Sequence, residues 1–433
     1  CSKGEWSLLQ YYIFGGVFFM ISVGIDVAKG KSTVCVINQY GEILLSPKDY
    51  KHNIDDLNSF NQVLTKYKEE IHFVMEATGK YHLPIYHYFK EKGFFVSVIN
   101  PLEMKRYRFQ GIRNPKTDRI DSMIIAQYGI DYWYRTKPQN VRTEARRELR
   151  LLGRQYEQYM KVRVARCQAL NSILEQTMPG IYGILDYFNK FNGKDKLSDF
   201  VFEYWHRDNI IKSSEKVFIK KYLNWLNKKG YRQNENEACK LYQIAKTSIP
   251  TLPSSSHVTK LLVQEAVNVL REVNNSLYNI LNQMREIAKT FPEYETVISM
   301  GAIGESLAPR LIAEIGDPRY FHSAKALIAY AGIDAPPYQS GQFVGNKRHM
   351  SKRGSSTLRK IGYEILDCVN KHQSKLQDDP ICQYFLKKRA EGKAYRVAMM
   401  AAFNKFLRIY HSRVSEVLNK LENEVTAVTF DLW

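Results

Sequence analysis

Met20-Ile-Ser-Val-Gly-Ile-Asp-Val-Ala-Lys29 is a short β-rich run that ends on a carboxylate. Its apolar part, Ile21 to Ile25, reads as a buried core strand, and Asp26 closes it. Working outward, Ser32 to Ile37, Glu42 to Ser46, Ile71 to Met75 and Phe94 to Ile99 have the same strand character. Helical patterns lie among them. Asn53 is placed to N-cap a helix reaching about Glu70, with Leu57, Phe60, Val63, Leu64 and Tyr67 on its buried face. Tyr81 to Lys92, closed by Gly93, and Thr117 to Gly129, opened by Thr117 after Pro115, read as two further helices.

Three strands, a helix, a strand, a helix, a strand and a helix is the order of a ribonuclease-H-like fold, so residues 20–137 are expected to form such a domain. In that fold the first and fourth strands are neighbours and the last helix crosses them. Asp26 ends the first strand, Glu76 ends the fourth in Phe-Val-Met-Glu-Ala-Thr-Gly, and Asp118 and Asp121 stand three apart in Lys-Thr-Asp-Arg-Ile-Asp-Ser. A spacing of three puts the last two on one helix face. Four converging carboxylates cannot all remain ionised without a cation, and hard oxygen ligands select Mg²⁺ or Mn²⁺. Each acid alone has a plainer reading, as a strand end, a turn or a first-turn helix acid. Their joint placement favours a metal centre for phosphoryl transfer. Lys116 and Arg119 beside them suit phosphate contact or ordinary ion pairing.

Beyond this domain the chain is expected to be all-α. Residues 138–180 read as an Arg-rich helical arm with coiled-coil character, apolar at Leu149, Leu152, Tyr156, Tyr159, Val162, Val164, Ala169 and Ile173. Residues 181–256 read as an inserted helical segment closing in a Pro/Ser-rich linker, 257–292 as a long helix packing against the arm, and 293–433 as a mostly helical C-terminal domain. In that last domain Ser299-Met-Gly-Ala-Ile-Gly304 carries the Gly-x-x-Gly turn with which helix-hairpin-helix elements offer backbone N–H groups to phosphates, through Gly301 and Gly304. Tyr338-Gln-Ser-Gly341 follows, then a basic run with Lys347, Arg348, Lys352 and Arg353, then Arg359. A serine in such a loop can approach a phosphodiester while the cations hold its charge. Ser340 is the first candidate and Ser351, Ser355 and Ser356 the alternatives; a loop serine is also an ordinary turn former.

Lys and Arg number 63 against 44 Asp and Glu, a net charge of +19, which favours a polyanionic partner. Heavy Lys use throughout the chain is the plainer source of that charge. The six cysteines lie far apart without C-x-x-C or zinc-finger spacing, so reduced thiols and a cytoplasmic location are expected. The apolar stretch from Leu8 to Ile25 is broken by Gln10, Gly15, Gly16 and Ser22 and leads into a core strand, so no membrane span is expected. Residue 1 is Cys and Met20 directly precedes the strand, so residues 1–19 are expected to be an upstream leader.

Taken together these motifs resemble transposases of insertion sequence family 110, relatives of the Piv-type DNA invertases. The resemblance spans Met20 to about Tyr410. It rests on Gly-Ile-Asp-Val-Ala-Lys, Met-Glu-Ala-Thr-Gly, Val-Ile-Asn-Pro, Lys-Thr-Asp-Arg-Ile-Asp-Ser, Leu-Ile-Ala-Glu-Ile-Gly-Asp, the Tyr-Ala-Gly loop with Gln-Ser-Gly, and Lys-Arg-Gly followed by Leu-Arg. It implies a RuvC-like N-terminal domain with an Asp-Glu-Asp-Asp set at Asp26, Glu76, Asp118 and Asp121, and a catalytic serine at Ser340. It further implies a phosphoserine intermediate, donor and target DNA as substrates, a structured bridge RNA as guide, a homodimer assembling to a homotetramer, and a bacterial, nucleoid-associated protein. The Arg-rich helix 142–166 is where dimer and RNA contacts are expected. Met300 and Ser355 stand where relatives often carry Pro and Asn, and the 181–256 segment is long. A plain RuvC-like junction nuclease and a non-catalytic nucleic-acid-binding protein are the rival readings.

Overall fold

Every second residue of β1 (Met20–Val27) faces a different layer, and both layers are helical. In this computed structural model the described residues are 20–108, 117–134, 136, 144–185, 193–301, 303–335, 339–340, 343–344, 349–376 and 378–430. They fall into two compact units divided in sequence between Val141 and Arg142.

In the first unit β1 is the centre of a five-stranded sheet of order β3-β2-β1-β4-β5, completed by β2 (Lys31–Asn38), β3 (Ile43–Lys51), β4 (Glu70–Glu76) and β5 (Phe95–Ile99). The first three strands pair antiparallel, whereas β1–β4 and β4–β5 are parallel. The first and fourth strands are therefore neighbours, as the element order predicts. Ile21, Val23, Ile25 and Val27 pack with Phe60, Leu64 and Phe89 from α1 (Ile54–Leu64) and α2 (Leu83–Glu91) on one face. The other face is covered by α3 (Pro101–Arg108) and α4 (Asp118–Asp131), whose Met104, Ile125 and Tyr128 meet Val74 and Ile99.

The differences from expectation are local. Asn53 caps α1 through its side chain, but the helix ends at Leu64, because the chain needs the next five residues to turn back into the parallel strand β4. β3 runs on past Pro47 to Lys51, which an edge strand tolerates since its outward N–H groups have no ladder partner. Helix α4 continues through Gly129 to Asp131, and glycine stands inside it because a side chain there would strike Ser22 and Val74 of the sheet. Helix α3 was not expected at all, although Asn100-Pro101 is a good helix start, with Pro at the first position and the Asn100 carbonyl accepting from Glu103 and Met104.

The second unit is built on two long helices, α5 (Glu144–Thr177) and α10 (His257–Lys289), packed along each other. At one end Leu149 and Tyr156 join Leu277, Leu281 and Met284 in the C-terminal core. At the other, Leu170 and Leu174 join Val263, Val267 and Leu270 in a separate core. This second core belongs to the inserted helices α6 (Lys196–Glu203), α7 (Arg207–Ile211), α8 (Glu215–Lys229) and α9 (Glu235–Thr247). Between the cores sits a polar pin, in which buried Asn274 accepts from Arg163 Nε (2.9 Å) and donates to Asp195 (2.9 Å), the N-cap of α6. Val162, Val164 and Ala169, among the apolar residues of the arm, are exposed. The C-terminal core is completed by α11 (Tyr294–Ile298), α12 (Ala308–Ile315), α13 (Ala324–Ala331), α14 (Ser356–Lys371), α15 (Pro380–Ala390) and α16 (Tyr395–Phe430). A hairpin of β6 (Gln339–Ser340) and β7 (Phe343–Val344) lies between α13 and α14. Among the described residues no helix is long and apolar enough to cross a membrane.

Gly24 lets α4 lie directly on β1, since a Cβ there would collide with the backbone of Ser122 and Ala126. Backbone cannot yield as a flexible side chain can. Gly24→Ala should therefore destabilise the first unit by about 1–3 kcal/mol through overpacking, read as a lower denaturant midpoint of the full chain. An unchanged midpoint would mean that α4 does not seat on this strand.

Candidate active site

The side chains of β1 that alternate toward α4 are Ser22, Gly24 and Asp26, and those of β4 are His72, Val74 and Glu76. Parallel pairing of Ile25 with Met75 brings the two strand-end acids to adjacent positions. Thr117 caps α4, accepting from Ile120 N at 3.3 Å, and starts the helix so that its first turn, with Asp118 and Asp121, lies over these strand ends. Asp121 is buried, Asp26 and Glu76 are half-buried and Asp118 is exposed.

The four acids share one electrostatic field. Burial, then the charges of Asp121 and Asp118, push the Asp26 carboxyl up to about 6, against a lowering by Arg108; Glu76 adds to the rise. The Arg108 guanidinium answers that field, donating to Glu76 Oε2 at 3.1 Å and lying 3.6 Å from Asp121 Oδ1. It is delivered by α3, which is tied to α4 by Tyr128 donating to Glu103 (2.6 Å) and Tyr107 donating to Asp131 (2.5 Å). Sequence reasoning missed Arg108 because it missed α3; the Asn-Pro helix start and the basic last turn, Lys105, Arg106 and Arg108, were the available signal.

The donor set suits a hard divalent cation, being all carboxylate and already drawing in a positive group. In this arrangement, among the described residues, no three His, Cys, Asp or Glu side chains are grouped closely enough to hold a metal ion. A guanidinium stands where added positive charge would go. Beside it Asp118 and Arg119 line an open cleft with Thr33, Asp49 and Thr117. Asp49 is occupied by Lys31 (2.7 Å) and Thr33 (2.7 Å).

In the C-terminal unit the candidate residues separate into exposed and engaged groups. Ser340 pairs by backbone register with Phe343 in the hairpin. Ser351 donates to Asp334 (2.5 Å), and Ser355 N-caps α14 and donates to Glu314 (2.7 Å), so both alternatives hold structural hydrogen bonds. Ser356 is the exposed first residue of α14. Lys352, with φ 53°, and Arg353 are exposed, whereas the Arg359 guanidinium donates to the carbonyls of Ala331 (2.9 Å) and Gly354 (3.2 Å). Gly301, at φ 85°, and Gly304 form the connection before α12, and the Asp379 carboxylate lies beside Gly301 while capping α15. Lys116, Lys347 and Arg348 lie outside the described residues. The Arg-rich helix α5 turns three of its arginines inward: Arg146 to Glu293 (2.6 Å), Arg150 to Tyr330 (3.1 Å) and Arg163 to Asn274.

Residues 23–179 match a transposase family model of the Asp-Glu-Asp-Asp type, and residues 294–379 match the transposase model of the IS116/IS110/IS902 family. These matches define an enzyme of DNA recombination, a transposase. Both models describe one family and together span more than half of the chain, which belongs to the IS110 family of transposases. A Streptomyces clavuligerus protein, the insertion element IS116 uncharacterized 44.8 kDa protein, is 24% identical over 393 residues, covering 88% of this chain and 91% of its own. The pilin gene-inverting proteins of Moraxella lacunata and Moraxella bovis are each 21% identical over 398 residues, covering 91% of this chain and 95% of theirs.

The raised Asp26 carboxyl means that this group takes up a proton on folding between the unfolded carboxylate range and pH about 6, so its contribution to stability declines as pH rises through that window. With chelator present, Asp26→Asn should then unfold at a higher temperature than wild type above pH about 6, and the gain should shrink below it. A midpoint equal to or below wild type above that pH would mean that burial and the neighbouring acids do not raise this carboxyl.

Proposed function

We propose that the chain is the recombinase of an insertion sequence, which cleaves and exchanges DNA strands with Asp26, Glu76, Asp118, Asp121 and Ser340. The observation that carries this reading is the electrostatic coupling of the four acids at the ends of β1 and β4 and the start of α4. The sheet order β3-β2-β1-β4-β5 supports assigning the first unit to the RuvC-like ribonuclease-H fold, and the paired long helices support a coiled-coil arm.

In this reading Ser340 Oγ attacks the scissile phosphorus. A bond forms between Oγ and phosphorus, the bond from phosphorus to one deoxyribose oxygen breaks, and that oxygen leaves as a hydroxyl with the proton the serine gives up. A bound Mg²⁺ or Mn²⁺ supplies Lewis acidity for the phosphate and lowers the cost of serine deprotonation. Asp26, Glu76, Asp118 and Asp121 would hold it, with Arg108 giving up its place among them. Lys352, Arg353 and Arg119 are exposed and can meet phosphate, and Lys116, Lys347 and Arg348 are proposed for the same role on their charge alone. Gly301 and Gly304 offer backbone N–H groups, whereas Arg359 serves chiefly to close the turn before α14. A structured guide RNA and a homodimer assembling to a homotetramer follow from the family resemblance alone.

A suicide DNA duplex carrying the element's end tests the scheme. Wild type should form a covalent protein–DNA adduct, lost in Ser340→Ala, in Asp118→Ala and on chelation. Cleavage by Ser340→Ala without any adduct in wild type would replace the recombinase by a junction nuclease in which water attacks. No divalent-metal-dependent processing by either protein would leave a binding protein only.

A further inference from the structure

Neither family model covers residues 180–293, yet the inserted helices carry their own core and a strongly biased surface. Between Gly193 and Ser256, Lys and Arg outnumber Asp and Glu by twelve to seven. Helix α8 concentrates that excess. It is closed by Gly230 in the left-handed region, and Phe218, Tyr222, Trp225 and Leu226 form its buried side. At about 100° per residue the opposite arc holds Lys216, Val217, Lys220, Lys221, Asn224, Asn227 and Lys228, all exposed, with no acid among them. Glu215, the only acid of the helix, lies off this arc and accepts from Gln243 (3.2 Å).

Among the described residues, unpaired exposed lysines also occur elsewhere, as at Lys161, Lys260 and Lys325. Others pair with a carboxylate three or four residues away, as Lys289 with Glu286, Lys371 with Asp367 and Lys420 with Glu416; α8 differs in gathering four unpaired lysines on one acid-free face. Lys216, Lys220, Lys221 and Lys228 have no carboxylate within ion-pair distance among the described residues. The helix dipole accounts for basic residues in the last turn, hence for Lys228 and Lys229, but it disfavours Lys216 at the start.

We propose that this face of α8 is a docking surface for the phosphate backbone of duplex DNA flanking the site of strand exchange, a reading that rests on the recombinase assignment above. The lysines span roughly 18 Å of helix at 1.5 Å per residue, the rise of about five nucleotides on one strand at 3.4 Å each. Duplex rather than unpaired nucleic acid is favoured because the aromatic rings that would stack on open bases are turned into the core. DNA is taken as the occupant because it is the substrate of the proposed strand exchange, and RNA is the alternative that the test below separates.

The test uses the full-length protein with Lys216, Lys220, Lys221 and Lys228 all changed to Gln, and a second variant with the same four changed to Arg. With a random-sequence DNA duplex of about three helical turns, the Gln variant should bind at least about tenfold more weakly at physiological salt, and its log-log salt slope should fall by roughly 3–4. The Arg variant should restore both. Covalent trapping on a short duplex confined to the exchange point should be equal in wild type and Gln variant; absence of trapping in wild type would strike the recombinase reading, whereas the duplex-binding comparison reads this surface separately. An unchanged affinity and slope in the Gln variant overturns the proposal, as does a loss confined to an RNA hairpin of the same length with DNA binding intact.

Discussion

Like charge held close on one side of a sheet is the constraint around which the first unit is organised. Asp26 cannot ionise freely where it lies, because burial and three neighbouring carboxylates oppose it, and the fold answers with Arg108. That answer reaches backward into packing. The arginine is in place only because α3 is tied to α4 by Tyr107 and Tyr128, and α4 is in place only because Gly24 and Gly129 let it lie flat on the strands. A partly buried guanidinium and a divalent cation are competitors for the same negative field. On the proposed function, a cation bound there would have to displace Arg108, which would link the folding of the unit to its chemistry.

The second unit solves a different problem with the same economy of parts. Two long helices alone bury too narrow a stripe to be stable, so each end is wrapped in its own set of shorter helices. Ion pairs are placed where these elements meet: buried Arg310 of α12 binds Glu157 of α5 (2.7 Å) and Glu364 of α14 (2.5 Å). Burial would raise the Glu157 carboxyl, but Arg310 and Lys360 outweigh it and hold it low. Removing Arg310 would leave two acids facing each other in the core. Three arginines of α5, Arg146, Arg150 and Arg163, follow the same logic, while Arg147, Arg154 and Arg166 stay exposed on the helix.

Much of the first unit was legible because period-two burial and cap residues act over a few neighbours. Asn53 and Thr117 cap the helices they were expected to cap, and Asp26, Glu76, Asp118 and Asp121 lie on the elements to which their local sequence assigns them. What was not legible depends on partners distant in sequence. Arg108 has meaning only beside Glu76, 32 residues earlier. The hydrogen bond that Ser355 donates to Glu314, 41 residues away, could not be read from its own surroundings in sequence. The exposure of Val162 and Val164 was not legible either, because an apolar pattern does not show which arc of a helix a neighbour will cover.

The paired helices have a mechanical corollary. Their middle is held by Asn274 bridging Arg163 and Asp195, a polar contact that fixes how far one rod is shifted along the other. A slide by one helical turn would break both contacts of the buried Asn274 side chain, so the frame resists telescoping even though oily side chains would tolerate it. Tension applied to the inserted helices is thereby passed to the C-terminal core as a rigid displacement, instead of being lost in slippage between the rods.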